Sequence, residues 1–365
     1  MMHWYRHCFP YGCVYYPFRS DSFQGSGAMF WDERYWFPGN ISWNDLKSNH
    51  TVHYPDIWEL TYAMKYCFLL LLLRFAVECF IFLPIGCLFG MVKEPLDLRI
   101  KAHLGFRSAG KGKFKRVAET AWRFLFYLCI WLYGLYALSD QPQMYDISEC
   151  WRNWPRHELT DNIWWYYVIQ MSFYCSLIIS SLLFDIRRAD FIQMTLHHII
   201  TVGLLFLSFV MNLIRIGTVV LFSHDIADIM LELAKLCRYA GWGTVLKCLF
   251  VVFMIVWIVT RLIYFPFFVI WSIIVDAPAL IQADYRWENL RQLPIIPRIF
   301  PAMLLCLLIL HIYWTVIIVK IALKSVRGNV VDIREESDSE ISSASSPHDL
   351  DAVMRNNMKR TKKVE

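Results

Sequence analysis

Charge is scarce in this chain: Asp, Glu, Lys and Arg make up 18% of its 365 residues, against 57% apolar and 17% aromatic. That balance excludes an ordinary soluble domain, in which charged residues supply about a quarter of the sequence. The eleven cysteines contain no CxxC pair, and most fall inside apolar runs, with Cys8, Cys13 and Cys150 outside them. A secreted disulfide framework is excluded, and the small buried hydrophobe is the expected role. No charged start followed by a short apolar core precedes the first long apolar run, so the first span is expected to target the chain without a cleavable signal. Repeated HxxH or HxxHH spacing is also missing: only four of the eleven histidines lie in apolar runs. A di-iron desaturase or hydroxylase is excluded on that ground.

What is present is hydrocarbon in spanning lengths. A membrane helix needs ~20 mostly apolar residues, and seven stretches qualify, at 66–91, 121–139, 163–184, 191–210, 215–236, 244–275 and 299–323. The expected fold is all-α, a multi-pass transmembrane bundle of about seven spans. The fifth stretch is the least hydrophobic, because it carries His224, Asp225, Asp228 and Glu232.

Basic residues orient the bundle. The loop 92–120 carries Lys93, Arg99, Lys101, Arg107, Lys111, Lys113, Lys115 and Arg116, whereas 140–162 carries only Arg152 and Arg156. The positive-inside bias puts the first loop in the cytosol. Alternation then places residues 1–65 in the lumen, where the sequons at Asn40 and Asn49 are open to glycosylation, and the C-terminus in the cytosol. Arg187, Arg188, Lys235, Arg238 and Lys247 fall on the cytosolic side as well. Residues 92–112 form a basic cytosolic loop suited to anionic headgroups or an anionic substrate, and too short for a nucleic-acid-reading domain. Beyond residue 328, the segment 329–365 is acidic, serine-rich and too poor in apolar residues to order itself. Ser337 and Ser339 lie in its acidic run as phosphorylation candidates beside the alternative of a solvated linker. The chain ends Lys362-Lys363-Val364-Glu365, which resembles the dilysine signal for retrieval to the endoplasmic reticulum.

Ionisable residues inside a membrane are costly and mark functional candidates. Here they are Arg74 and Glu78, His197 and His198, His224, Asp225, Asp228 and Glu232, Arg261, and His311. Arg74 and Glu78 are four apart and pair on one face, a structural neutralisation. His311 stands alone in the last span and reads as an interhelical hydrogen-bond donor. The fourth and fifth spans, joined by Met211-Asn212-Leu213-Ile214, form an antiparallel hairpin with a lumenal turn. His198 lies fourteen residues before Asn212 and Asp225 thirteen after it, so a rise of about 1.5 Å per residue brings the two to similar depth. That depth is roughly 10 Å inside the cytosolic boundary. Asp225, Asp228 and Glu232 share one stripe, and His197 shares a face with Thr201. Three chemistries fit those residue types. A carboxylate-oriented imidazole can act as base or nucleophile, imidazoles and carboxylates can hold zinc, and both can simply bridge helices.

The run 190–235 resembles the Lag motif of ceramide synthases. It carries the HHxxT piece at His197, His198 and Thr201, N-x-x-R-x-G at Asn212, Arg215 and Gly217, and HDxxD at His224, Asp225 and Asp228. The likeness extends outward through Lys115, Glu119, Trp122 and Arg123, through Thr260-Arg261-Leu262 and Pro266, and to Lys320, so a TLC (TRAM–LAG1–CLN8) domain is expected over 113–328. The resemblance implies transfer of a fatty acyl group from acyl-CoA, as co-substrate, to the amine of a sphingoid base at the endoplasmic reticulum membrane. No bound cofactor and no metal are implied. His197 becomes the acyl-accepting nucleophile or base, His198 its partner, and Asp225 and Asp228 the groups that orient and charge-balance both. His224, Thr201, Asn212, Arg215, Glu232 and Arg261 take supporting roles. Partners implied are acyl-CoA, the sphingoid base, membrane lipids and a second copy or relative in a homo- or heterodimer. Acyl-chain preference is associated in that family with the last lumenal loop, here 276–298. The family's homeodomain-like insert is missing, since the loop before the second span has about thirty residues against the about sixty such a fold needs. Two rivals stay in view: an intramembrane metal-dependent amidase resembling alkaline ceramidases, disfavoured because the histidines adjoin, and a non-catalytic lipid-binding or translocon-associated TLC protein, which has no need of both histidines and both aspartates.

Overall fold

In a computed structural model, residues 30–39, 41–49, 51–89, 113–183, 185 and 189–326 are described. Asn40, Ser337, Ser339, Lys362, Lys363 and the basic loop 92–112 lie outside them.

Among the described residues seven long helices build the fold: α1 Ile57–Leu88, α2 Lys113–Leu138, α3 Asp161–Leu183, α4 Phe191–Val210, α5 Ile214–Ala240, α6 Gly243–Ile281 and α7 Ile299–Val326. The fold is all-α as expected, with no strand among the described residues. Six of the seven helices are long and apolar enough to cross a membrane. The exception is α5, which at 27 residues is long enough but carries too much charge.

Packing accounts for that exception. Helix α5 touches α2, α3, α4 and α6, so protein surrounds its charged side chains where lipid would reject them. Helix α1 is the opposite case: Leu69, Leu72 and Phe80 on its outer face are exposed, the arrangement that a hydrocarbon solvent stabilises. It starts at Ile57, where Asp56 accepts a hydrogen bond from Trp58 N and Glu59 reaches back to the cap, nine residues before the apolar run becomes unbroken. Pro84, which has no N–H to donate, follows a π-turn at Glu78–Phe82.

One end of the bundle is capped. The described residues between 30 and 59 and the loop 139–160 pack together there, with Leu159 N donating to His53 O at 2.8 Å and Arg156 pairing with Asp45 at 3.1 Å. The α4–α5 turn joins them. Asn212 takes a left-handed backbone (φ 51°), which Asn tolerates better than most residues, and its Nδ2 donates to Pro155 O at 2.5 Å and His157 O at 2.8 Å. Trp154 Nε1 donates to Met211 O at 3.0 Å, and Trp151 Nε1 to Ser272 Oγ at 2.6 Å. At the other end, Arg74 bridges Glu78 and Asp185, each at 2.6 Å. The expected Arg74–Glu78 pair is thus part of a triad that fastens α1 to the α3–α4 connection.

Candidate functional site

Histidines and acids of α4 and α5 converge in the half of the bundle away from the cap. His197 and His198 lie with ring centroids 5.6 Å apart at an interplanar angle of 51°. Being neighbours on a helix, they point about a hundred degrees apart, and they open into different cavities. His198 lines a cleft with Glu119, Arg123 and Tyr127 of α2, Asp185, and Asp228, Glu232 and Lys235 of α5. His197 lines an aromatic pocket with Phe253, Trp257 and Arg261 of α6, Trp314 of α7, and Asp228. Met194, Asp228 and Leu231 belong to both linings. Asp228 therefore stands where the two cavities meet.

Arg261 organises this junction. It is 3% exposed, sits in a π-helical stretch of α6, Ile258–Ile270, that also contains Pro266, and stacks over Trp257 at 5.3 Å. Its guanidinium donates to Asp228 Oδ2 and to His224 O, each at 3.0 Å. A third contact, at 3.2 Å, reaches His311 Nε2. Because arginine can only donate, that nitrogen of His311 must accept, which leaves its proton on Nδ1. His311 lies 5.2 Å from the His224 ring and from Phe265. It belongs to this cluster as an acceptor, where its isolated position in the last span had suggested a donor role outside the site.

The two aspartates part company. Asp225 is fully buried, lines neither cavity, and its Oδ2 accepts from Gln170 Nε2 of α3 at 2.5 Å. Gln170 sits one turn from Tyr166 and one turn from Tyr174, whose ring is 6.1 Å from His198. Among the described residues no hydrogen bond joins either histidine of the pair to either aspartate. His197 Nδ1, His198 Nδ1, His224 Nε2 and Asp225 Oδ1 are buried without a hydrogen-bond partner. Each such atom in a core calls for an explanation, and these four lie on one hairpin.

The remaining supporting residues spread along the hairpin. Thr201 Oγ1 donates to His197 O at 2.9 Å, one turn back. Glu232 holds Lys235 at 2.7 Å and Arg123 at 3.3 Å on the rim of the cleft. Asn212 and Arg215 are at the capped end, where Arg215 Nη1 donates to Glu149 O at 2.8 Å. Among the described residues, no three His, Cys, Asp or Glu side chains come together as a metal site. His311 is an ionisable group within a span that the sequence reading leaves outside the site, and Glu119, Gln170, Trp257 and Trp314 are not singled out by residue type. Of these four only Glu119 carries a signal, as part of the family likeness.

The TLC domain family matches residues 116–320. Ceramide synthase hyl-2 of Caenorhabditis elegans is 40% identical over 311 residues, covering 84% of this chain and 93% of the relative. Ceramide synthase 3 of the mouse is 32% identical over 87% of this chain and 89% of its own, and human ceramide synthase 5 is 30% identical over 88% and 89%. With the HHxxT and HDxxD pieces on adjoining helices around one pair of cavities, and these relatives matching nearly end to end, the chain belongs to the ceramide synthases of the TLC-domain family.

Proposed function

We infer that this chain is an acyltransferase that joins a fatty acyl group from acyl-CoA to the amine of a sphingoid base, giving ceramide or dihydroceramide and free CoA, and that it does so at the His197–His198 pair. One observation carries the site: the adjacent histidines open into two cavities that meet at Asp228. A reaction that joins two large lipidic substrates needs two approaches to one reacting centre.

The chemistry follows from the groups present. The thioester carbonyl carbon gains a bond to the sphingoid nitrogen and loses its bond to sulfur. The ammonium gives up two protons along the way, of which the departing thiolate takes one. A neutral imidazole can accept a proton or take the acyl group itself before the amine does. Either route runs through His197 with His198 as its partner. Asp228 holds Arg261 beside the carbonyl position, and Asp225, clamped by Gln170, is the fixed carboxyl group behind the pair. The test is direct: purified protein given sphinganine and acyl-CoA is expected to release thiol and form an amide-linked lipid by mass spectrometry. Thiol release without the amide product would refute the reading.

The capped end is the lumenal one in this reading and the cleft opens toward the cytosol of the endoplasmic reticulum membrane. In support, Asn49 is exposed at the cap, its Oδ1 accepting from Thr51 N at 2.9 Å and Thr51 Oγ1 at 2.8 Å, which leaves the amide nitrogen open to a glycan. An endoglycosidase-sensitive mobility shift that disappears in Asn49→Gln checks the orientation.

A further inference from the structure

The cleft reached by His198 is acid-rich. Five of its lining side chains are carboxylates, against two cations, Arg123 and Lys235. Both cations are engaged with Glu232 Oε1, at 3.3 and 2.7 Å. Asp185 is held by Arg74 at 2.6 Å and Asp228 by Arg261 at 3.0 Å. Glu119, unlike those three, forms no ion pair among the described residues. It is 1% exposed, it lines the cleft, and its Oε1 has no hydrogen-bond partner. A buried carboxylate oxygen without a donor is costly unless a ligand supplies one. With Asp185, Asp228 and Glu232 already paired to cations, what the cleft offers a ligand is the Glu119 oxygen, which suits a cationic donor.

We propose that this cleft is the subsite for the ammonium headgroup of the sphingoid base, and that Glu119 is the carboxylate that receives it. The proposal rests on the acyltransferase reading for the identity of the ligand and adds to it which substrate lies on which side. Glu119 and Arg123 are four residues apart on α2 and share a face, so the anchored Arg123–Glu232 pair fixes the helix face that presents the free oxygen. Phe191, Met194 and Leu231 in the same lining cover the hydrocarbon next to the headgroup. An ammonium seated on Glu119 lies in the cleft that His198 lines, which leaves the aromatic pocket of His197 to the acyl group.

Binding to the full-length protein in nanodiscs tests this, with empty nanodiscs subtracted. Tritiated sphinganine is compared with octadecane-1,3-diol, the same chain without the amine. Charge-assisted hydrogen bonds contribute enough for about a ten-fold preference for sphinganine in the wild type. Glu119→Gln is expected to reduce that preference to about two-fold and to raise KM for sphinganine without changing KM for acyl-CoA, and Glu119→Asp to restore part of both. Equal binding of amine and diol by the wild type overturns the proposal, as does a full preference in Glu119→Gln. Where Glu119→Gln elutes as aggregate, Glu119→Asp decides: a preference below that of the wild type supports the proposal, and a full preference overturns it. A wild type that prefers the amine yet forms no amide would sink the acyltransferase reading and leave the ammonium subsite standing.

Discussion

The two halves of the α4–α5 hairpin are built on opposite plans. Toward the turn, polar side chains are bonded: Ser208 to Tyr167, Asn212 to two carbonyls of the 153–157 loop, Arg215 to Glu149 O. In the other half, nitrogen atoms of His197, His198 and His224 and an oxygen of Asp225 are buried without partners. Inside a membrane each such atom costs free energy, so a fold selected for stability alone would pair or remove them. The turn holds the hairpin in register, and the open half keeps donors and acceptors for substrates.

The largest break in that comparison comes from the open half. His197→Ala and His198→Ala are each expected to reduce turnover by roughly two to four orders of magnitude, the range of acid–base and nucleophilic groups, while the melting temperature in detergent stays within a few degrees. Removing a buried ring whose Nδ1 has no partner leaves no orphaned donor behind. Full activity in both variants would remove the pair from the mechanism, and loss of folding in both would make them structural.

Next comes the bonded half. Asn212→Ala withdraws a donor from two buried carbonyls and puts a Cβ-bearing residue without Asn's local hydrogen bonding at φ 51°, for an expected loss of about 2–4 kcal/mol. Activity per folded molecule should hardly change, because the turn is about 20 Å from the histidines at 1.5 Å per residue. Asn212→Gly relieves the backbone alone, so its recovery relative to Ala separates conformation from hydrogen bonding. A variant as stable as the wild type would dismiss the turn as the anchor.

Much of this contrast is legible in the sequence, and the limits are physical. Hydropathy locates the helices, and the cost of charge in lipid singles out α5, whose low apolarity reflects its place among four other helices. Counting outward from Asn212 puts His198 and Asp225 at one depth, an argument about distance along an axis that says nothing of rotation about it. Asp225 turns toward Gln170 on α3, and Asp228, less than a turn further on, reaches both cavities. Gln170 and Trp314 escape a search for ionisable groups because neither is one. His311 joins Arg261 only through the packing of α7 on α6, which spacing along one chain cannot give.

The smallest effect sharpens the comparison from the cap itself. His157 donates from Nε2 to Arg152 O at 2.6 Å, and its own carbonyl accepts from Asn212. Burial is the main cause that lowers its pKa, to about 4; the Arg152 carbonyl opposes the shift and nearby Arg215 adds to it. In the unfolded chain the ring takes a proton near pH 6.5, whereas the folded cap resists it until about pH 4. The unfolded state therefore binds more protons across that window, and stability falls as pH drops through it. Between pH 7.5 and 5.5 the expected loss from this residue is about 1 kcal/mol, read as a drop in melting temperature. His157→Gln keeps a donor in place of the ring nitrogen and removes the titration, so it should flatten that part of the profile and leave the Asn212 contact intact. An unchanged slope would show that the cap's acid sensitivity comes from elsewhere and that His157 is not the proton acceptor that loosens it.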